Sequence, residues 1–100
     1  MSVYLMLTTL TDAGRKALQE NPESLNDINK EMEFMGAKIL TQYALLGQYD
    51  FVSIVEAPSN EAIAKVAIRL SHMGTMQTLT LTAITIDHLI STLKEKERPW

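Results

Sequence analysis

Residues 37–56 read AKILTQYALLGQYDFVSIVE, and the fold turns on how they divide. Phe51-Val52-Ser53-Ile54-Val55-Glu56 is the clearest strand of the chain, rich in β-branched and aromatic residues and free of breakers. The run before it, Ala37 to Leu46, contains Ile, Thr and Tyr, is short for a helix and is bounded by Gly36 and Gly47. It reads as a second strand. Gly47-Gln48-Tyr49-Asp50 is short enough to close the two into an antiparallel hairpin.

Working outward, Leu25, Ile28, Met32 and Met35 form one helical stripe. They predict a helix from a Ser24 N-cap to about Met35, stopped by Gly36. Before it, Thr11 to Glu20 forms a short helix capped by Thr11 or Asp12, weakened by Gly14 and ended by Asn21-Pro22. Val3 to Thr8 is the first strand. Downstream, Ser59 or Asn60 caps a helix that buries Ile63, Val66, Ala67 and Leu70, exposes Glu61, Lys65 and Arg69, and ends at Met73-Gly74. Met76 to Thr85 alternates as a fourth strand. Ile86 to Lys96 forms a last helix with Leu89, Ile90 and Leu93 apolar, and a charged tail follows.

The order is β-α-β-β-α-β with an extra helical turn after the first strand. Met35-Gly36 recurs as Met73-Gly74, 38 positions on, each before a strand. Two related halves of this kind predict an α+β, ferredoxin-like fold: a four-stranded antiparallel sheet with helices on one face. One domain is expected over residues 1–96, with 97–100 as a tail.

Hydrophobic residues make up 46% of the 100-residue chain and charged residues 21%, values of a globular domain. There is no cysteine, which excludes disulfide frameworks, Cys-ligated metals and Cys nucleophiles. The net charge of −3 disfavours nucleic acid. The longest run without charge, Leu70 to Ile86, carries His72, Gly74, Gln77 and five threonines and is wrong for lipid, so no membrane association is expected. With no export signal, the expected location is cytoplasmic.

Only one sheet face can meet the helices. Val3, Leu5, Leu7, Val52, Ile54, Leu79 and Leu81 are assigned to that side. Tyr4, Met6, Thr8, Phe51, Ser53, Val55, Met76 and the threonines at 78, 80 and 82 are assigned to the other. The free face is then too apolar for solvent. Burying about 500–600 Å² of it per subunit contributes on the order of 10–15 kcal/mol gross, offset in part by lost freedom. Sheet-to-sheet packing of two subunits follows, as a dimeric α/β barrel. The rival is that Ile86 to Leu93 folds back over the face.

Leu46-Gly47-Gln48-Tyr49-Asp50-Phe51 through Glu56-Ala57-Pro58 resembles the signature of the GYD-domain family. Leu10-Thr11-Asp12-Ala13-Gly14 and Met73-Gly74-Thr75 through Thr78 to Ala83 fit the same pattern. The resemblance covers roughly residues 2–85 and implies a ferredoxin-like, oligomerising domain of unassigned function. The Gly-x-Tyr-Asp strand is also similar to the effector-binding domain of leucine-responsive (Lrp/AsnC-type) regulators. Those carry a helix-turn-helix in front, and nothing precedes the first strand here, so direct DNA binding is not expected.

A ligand pocket between subunits would be lined by Tyr4, Met6, Tyr43, Tyr49, Asp50, Phe51 and Glu56. Asp50 and Tyr49 equally serve as turn residues, and Glu56 as a helix cap or ion-pair partner. Glu56, Asp50 and His72 are the candidate acids and bases. His72 at a helix C-terminus is also explained by the helix dipole. Two histidines, His72 and His88, lie 16 apart without Cys, so no metal site is expected. Lys38, Arg15 and Lys16 could meet an anion but read as solvated surface. No phosphate loop, dinucleotide fingerprint or nucleophile elbow is present, and no cofactor is expected. The six methionines read as core.

The expectation is a homo-oligomeric small-molecule-binding or assembly module, leaning away from an enzyme. The alternatives are a cofactor-independent monooxygenase or isomerase, which the resembled fold type also hosts, and a stand-alone amino-acid effector domain.

Overall fold

The hairpin forms as read: β2 (Lys38–Ala44) pairs antiparallel with β3 (Phe51–Ala57). A computed structural model describes residues 1–95. Around the hairpin, β1 (Ser2–Leu10) leads into α1 (Asp12–Glu20) and α2 (Ser24–Phe34), and α3 (Asn60–His72), β4 (Met76–Ala83) and α4 (Ile86–Lys94) follow β3. The sheet runs β2-β3-β1-β4, every neighbour antiparallel. This is the ferredoxin-like α+β fold. The expected tail, 97–100, lies outside the described residues.

Short polar side chains start the helices. Thr11 Oγ1 accepts from Gly14 N at 3.1 Å and Ser59 Oγ from Ala62 N at 3.1 Å. Ser24 is not a cap; it is the first residue of α2, and the cap position belongs to Glu23, whose side chain makes no cap bond. Gly36 and Gly74 both hold positive φ (96° and 75°), so the repeated Met-Gly marks two left-handed stops.

The sheet is turned over relative to the sequence expectation. Tyr4, Met6, Thr8, Phe51, Ser53, Val55 and Met76 are buried, and they face the helices. The core joins them to Met32 of α2 and to Ile63, Val66 and Leu70 of α3. Val3, Leu5, Leu7, Val52, Ile54, Leu79 and Leu81 lie on the uncovered side. The reason is chemical. The buried side holds small residues, Ser53 and Ala57, over which helices approach closely, and the polar groups of Tyr4 and Ser53 find partners there, whereas Thr80 Oγ1 on the same side is buried without one. Tyr4 Oη donates to Asn60 Oδ1 at the start of α3 (2.6 Å). Gln42 Nε2 donates to Ser53 Oγ (2.9 Å), while Asn29 Nδ2 of α2 donates to Gln42 Oε1 (2.8 Å). The hydroxyls of Tyr4 and Ser53, assigned from the sequence to the free face, therefore fasten the helices.

Helix α4 does not fold back over the sheet. It is complete at both ends, yet none of its nine residues is buried. The radius of gyration, 16.2 Å, exceeds the ~13 Å usual for a 100-residue domain. The longest dimension is 60 Å, as a helix standing off the body requires. Among the described residues no helix is long and apolar enough to cross a membrane.

Candidate functional site

The three motif segments meet at one end of the sheet, where β1 and β3 meet their turns and β4 begins. Asp50 ends the hairpin turn. Its Oδ2 accepts from Leu10 N at 2.7 Å, its own N–H donates to Thr8 O at 2.8 Å, and its carbonyl accepts from Leu45 N at 2.7 Å. Arg15 Nη2 lies 3.9 Å from the same carboxylate oxygen. Thr11 N donates to Thr75 O at 3.0 Å, and Thr11 Oγ1 donates to Gly74 O at 2.7 Å. Gly14 packs so closely that a Cβ there would stand 1.9 Å from Thr75 O. The motif residues form a clasp that continues the ladder past the strand ends and ties α1 to β4. Asp50, with its carboxylate and both main-chain groups engaged, acts in that clasp.

Asp50→Ala should strand the Leu10 N–H. An unsatisfied buried donor costs about 1–3 kcal/mol, which for a domain of this size lowers Tm by roughly 5–20 °C. Asp50→Asn, which keeps an acceptor oxygen, should recover most of the loss. Equal melting of Asp50→Ala and wild type in a thermal scan would contradict the clasp.

The uncovered face is the second feature. Leu5 and Leu7 of β1 stand directly opposite Leu81 and Leu79 of β4, with Val52 and Ile54 of β3 on their other side. Leu79 and Leu81 are 45% and 44% exposed, and Tyr43 of β2, paired with Val52, is 63% exposed. Lys38 and Glu56 sit opposite each other at the far end of the β2–β3 pair. The face is an apolar field with a polar edge. Overturning the sheet makes it more apolar than the sequence expectation, because the leucines are here and the threonines are not.

Of the residues expected to line a pocket, Tyr4, Met6 and Phe51 are in the core on the helix side. Tyr43 and Glu56 lie on the open face, four β3 residues apart, or about 13 Å along the strand. Tyr49 and Asp50 are half-buried in the turn. The structure therefore does not gather the seven into one site. Glu56 makes no ion pair among the described residues, and His72 is exposed at the end of α3. Among the described residues, none of the candidate acids and bases stand together within hydrogen-bond reach.

A cavity of about 310 Å³ opens between α1, α2 and the clasp end of the sheet. Leu10, Leu18, Leu25, Ile28, Phe51 and Met76 line it. Its polar groups are few: Ser24, Asp27, Thr75 and Glu31, the last bonded to Arg69 Nε at 3.0 Å. Phe51 is the expected pocket residue that reaches it. Sequence reasoning missed this space, although Leu18 and Leu25, flanking the Asn21-Pro22 break, were its visible signal.

A model of the GYD domain matches residues 4–93. The chain is 41% identical over 95 residues to the glutamine synthetase and cystathionine beta-lyase binding protein of Thermus thermophilus, covering 94% of this chain and 100% of that protein. Among solved structures it resembles FFRP-DM1, with a TM-score of 0.56, 19% identity, and 84% of this chain and 100% of that one covered. It also resembles TTHA0845 from Thermus thermophilus, with a TM-score of 0.54, 20% identity, and 85% and 95% covered. The two structural likenesses bear on the fold.

Proposed function

This chain belongs to the GYD-domain family, and from that premise we propose that it is a homo-oligomeric, non-enzymatic module that binds other proteins. The observation that carries the reading is the apolar sheet face, which the chain's own helices leave bare. Two subunits stack these faces. That contact removes the leucines from water, and the helix sides of the pair remain outward to meet partners. Tyr43 and Glu56 then lie at the contact and its edge, and Tyr49 sits beside the clasp.

The Thermus relative, aligned along its whole length, is named for binding glutamine synthetase and cystathionine beta-lyase. We extend enzyme binding of that kind to this chain. Biolayer interferometry with purified glutamine synthetase and cystathionine beta-lyase from the same organism tests it. Saturable binding of at least one at micromolar concentration is expected. Absence of binding by both at about 100 μM, a free energy weaker than roughly −5.5 kcal/mol, would overturn it.

A second reading is favoured by the cavity beside α1 and α2. Its volume and apolar lining suit a small apolar metabolite. A thermal-shift screen of amino acids and small metabolites separates the two. A ligand at 100 times its Kd raises stability by about 2.7 kcal/mol.

A further inference from the structure

We infer that α4 is an association arm: it folds against a second copy of this chain and extends the sheet-to-sheet contact, a reading on which the inference rests. The first ground is length. Helices shorter than ~12–15 residues are marginal in water unless packed, and α4 has nine residues with none buried. Its ends are nevertheless fully specified. Thr85 Oγ1 accepts from His88 N at 3.0 Å, Asp87 stands in the first turn and Lys94 in the last. A segment written to be helical, yet with none of its residues buried against the described residues of its own chain, takes its packing from elsewhere.

The second ground is the stripe. Ile86, Leu89, Ile90 and Leu93 follow the helical period and are 69%, 38%, 44% and 75% exposed. In sequence they follow the open face, since β4, which carries Leu79 and Leu81, leads through the exposed Ile84 into α4.

The third ground is area. On the uncovered sheet face Leu5, Leu7, Val52 and Ile54 are already half-buried and Leu79 and Leu81 are 45% and 44% exposed, so the face alone falls short of the ~800 Å² per partner of a standard stable interface. The α4 stripe with Ile84 adds roughly 500 Å² and carries the total past that size. A membrane surface fits less well, because the polar side of the helix carries one Asp and one Lys rather than a basic face.

Hydrogen exchange of the 86–94 amides, measured across dilution beside sedimentation equilibrium, tests the arm. We expect these amides to be protected where the full chain is dimeric and to lose protection as it dissociates. In Leu81→Lys, which breaks the sheet contact, they should be unprotected throughout. The double variant Leu89→Asp/Leu93→Asp should raise the dimer dissociation constant at least about 30-fold, with the amides of the sheet still protected. If wild type is dimeric and α4 is unprotected, or the double variant dissociates like wild type, the arm falls and the sheet contact stands. If wild type is monomeric, both fall. Protection that does not change with dilution, or that appears only with anionic vesicles, would also overturn the arm.

Discussion

Leu81→Lys should turn the assembled protein into a folded monomer. Leu81 is 44% exposed on the face away from the helices, so the isolated subunit accepts a lysine there with its ammonium in water. In a stacked pair the same ammonium is trapped, unpaired, among leucines. Such a charge costs about 3–5 kcal/mol. One falls on each subunit of a symmetric contact, so the dissociation constant should rise at least about 10³-fold. Sedimentation velocity should show the mass fall, while circular dichroism keeps the wild-type shape. An unchanged mass would place the contact elsewhere. A loss of folded signal would mean that Leu81 belongs to the subunit's own core.

Gly14→Ala should cost the subunit itself. In an ordinary helix, Ala in place of Gly gains about 1 kcal/mol. Here the added carbon would meet Thr75 O at 1.9 Å and Thr75 C at 2.9 Å, both backbone atoms. Relief requires α1 and the start of β4 to separate. That lengthens the Thr11 N–Thr75 O bond of 3.0 Å and the Thr11 Oγ1–Gly74 O bond of 2.7 Å together. The clash outweighs the propensity gain, and a net loss of about 2–4 kcal/mol is expected. Tm should fall by roughly 10–25 °C. A Gly14→Ala protein that melts at or above wild type would contradict the close approach.

The element order was legible because each boundary carries its own chemistry. Gly36 and Gly74 stop helices, Thr11 and Ser59 start them, and Gly47 to Asp50 closes the hairpin. The sheet's orientation was not legible. Alternation along β1 separates Tyr4 and Met6 from Leu5 and Leu7, but both sets are apolar, and a period of two does not say which meets the helices. The deciding partners, Asn60 for Tyr4 and Asn29 through Gln42 for Ser53, are 56, 13 and 11 positions distant, beyond any local pattern. Gly14 looked like a weak spot in a short helix. Its role is set by Thr75, a neighbour only after folding. For Asp50, the turn role was visible in the sequence, but its bond to Leu10 N, 40 positions away, was not.

Every assembly property proposed above depends on the bare sheet face being covered by another subunit. Multi-angle light scattering of the purified chain at micromolar concentration tests this most directly. A mass of twice the 11.2 kDa chain, or a higher whole multiple, is the predicted result. A single species of 11.2 kDa at that concentration would contradict it.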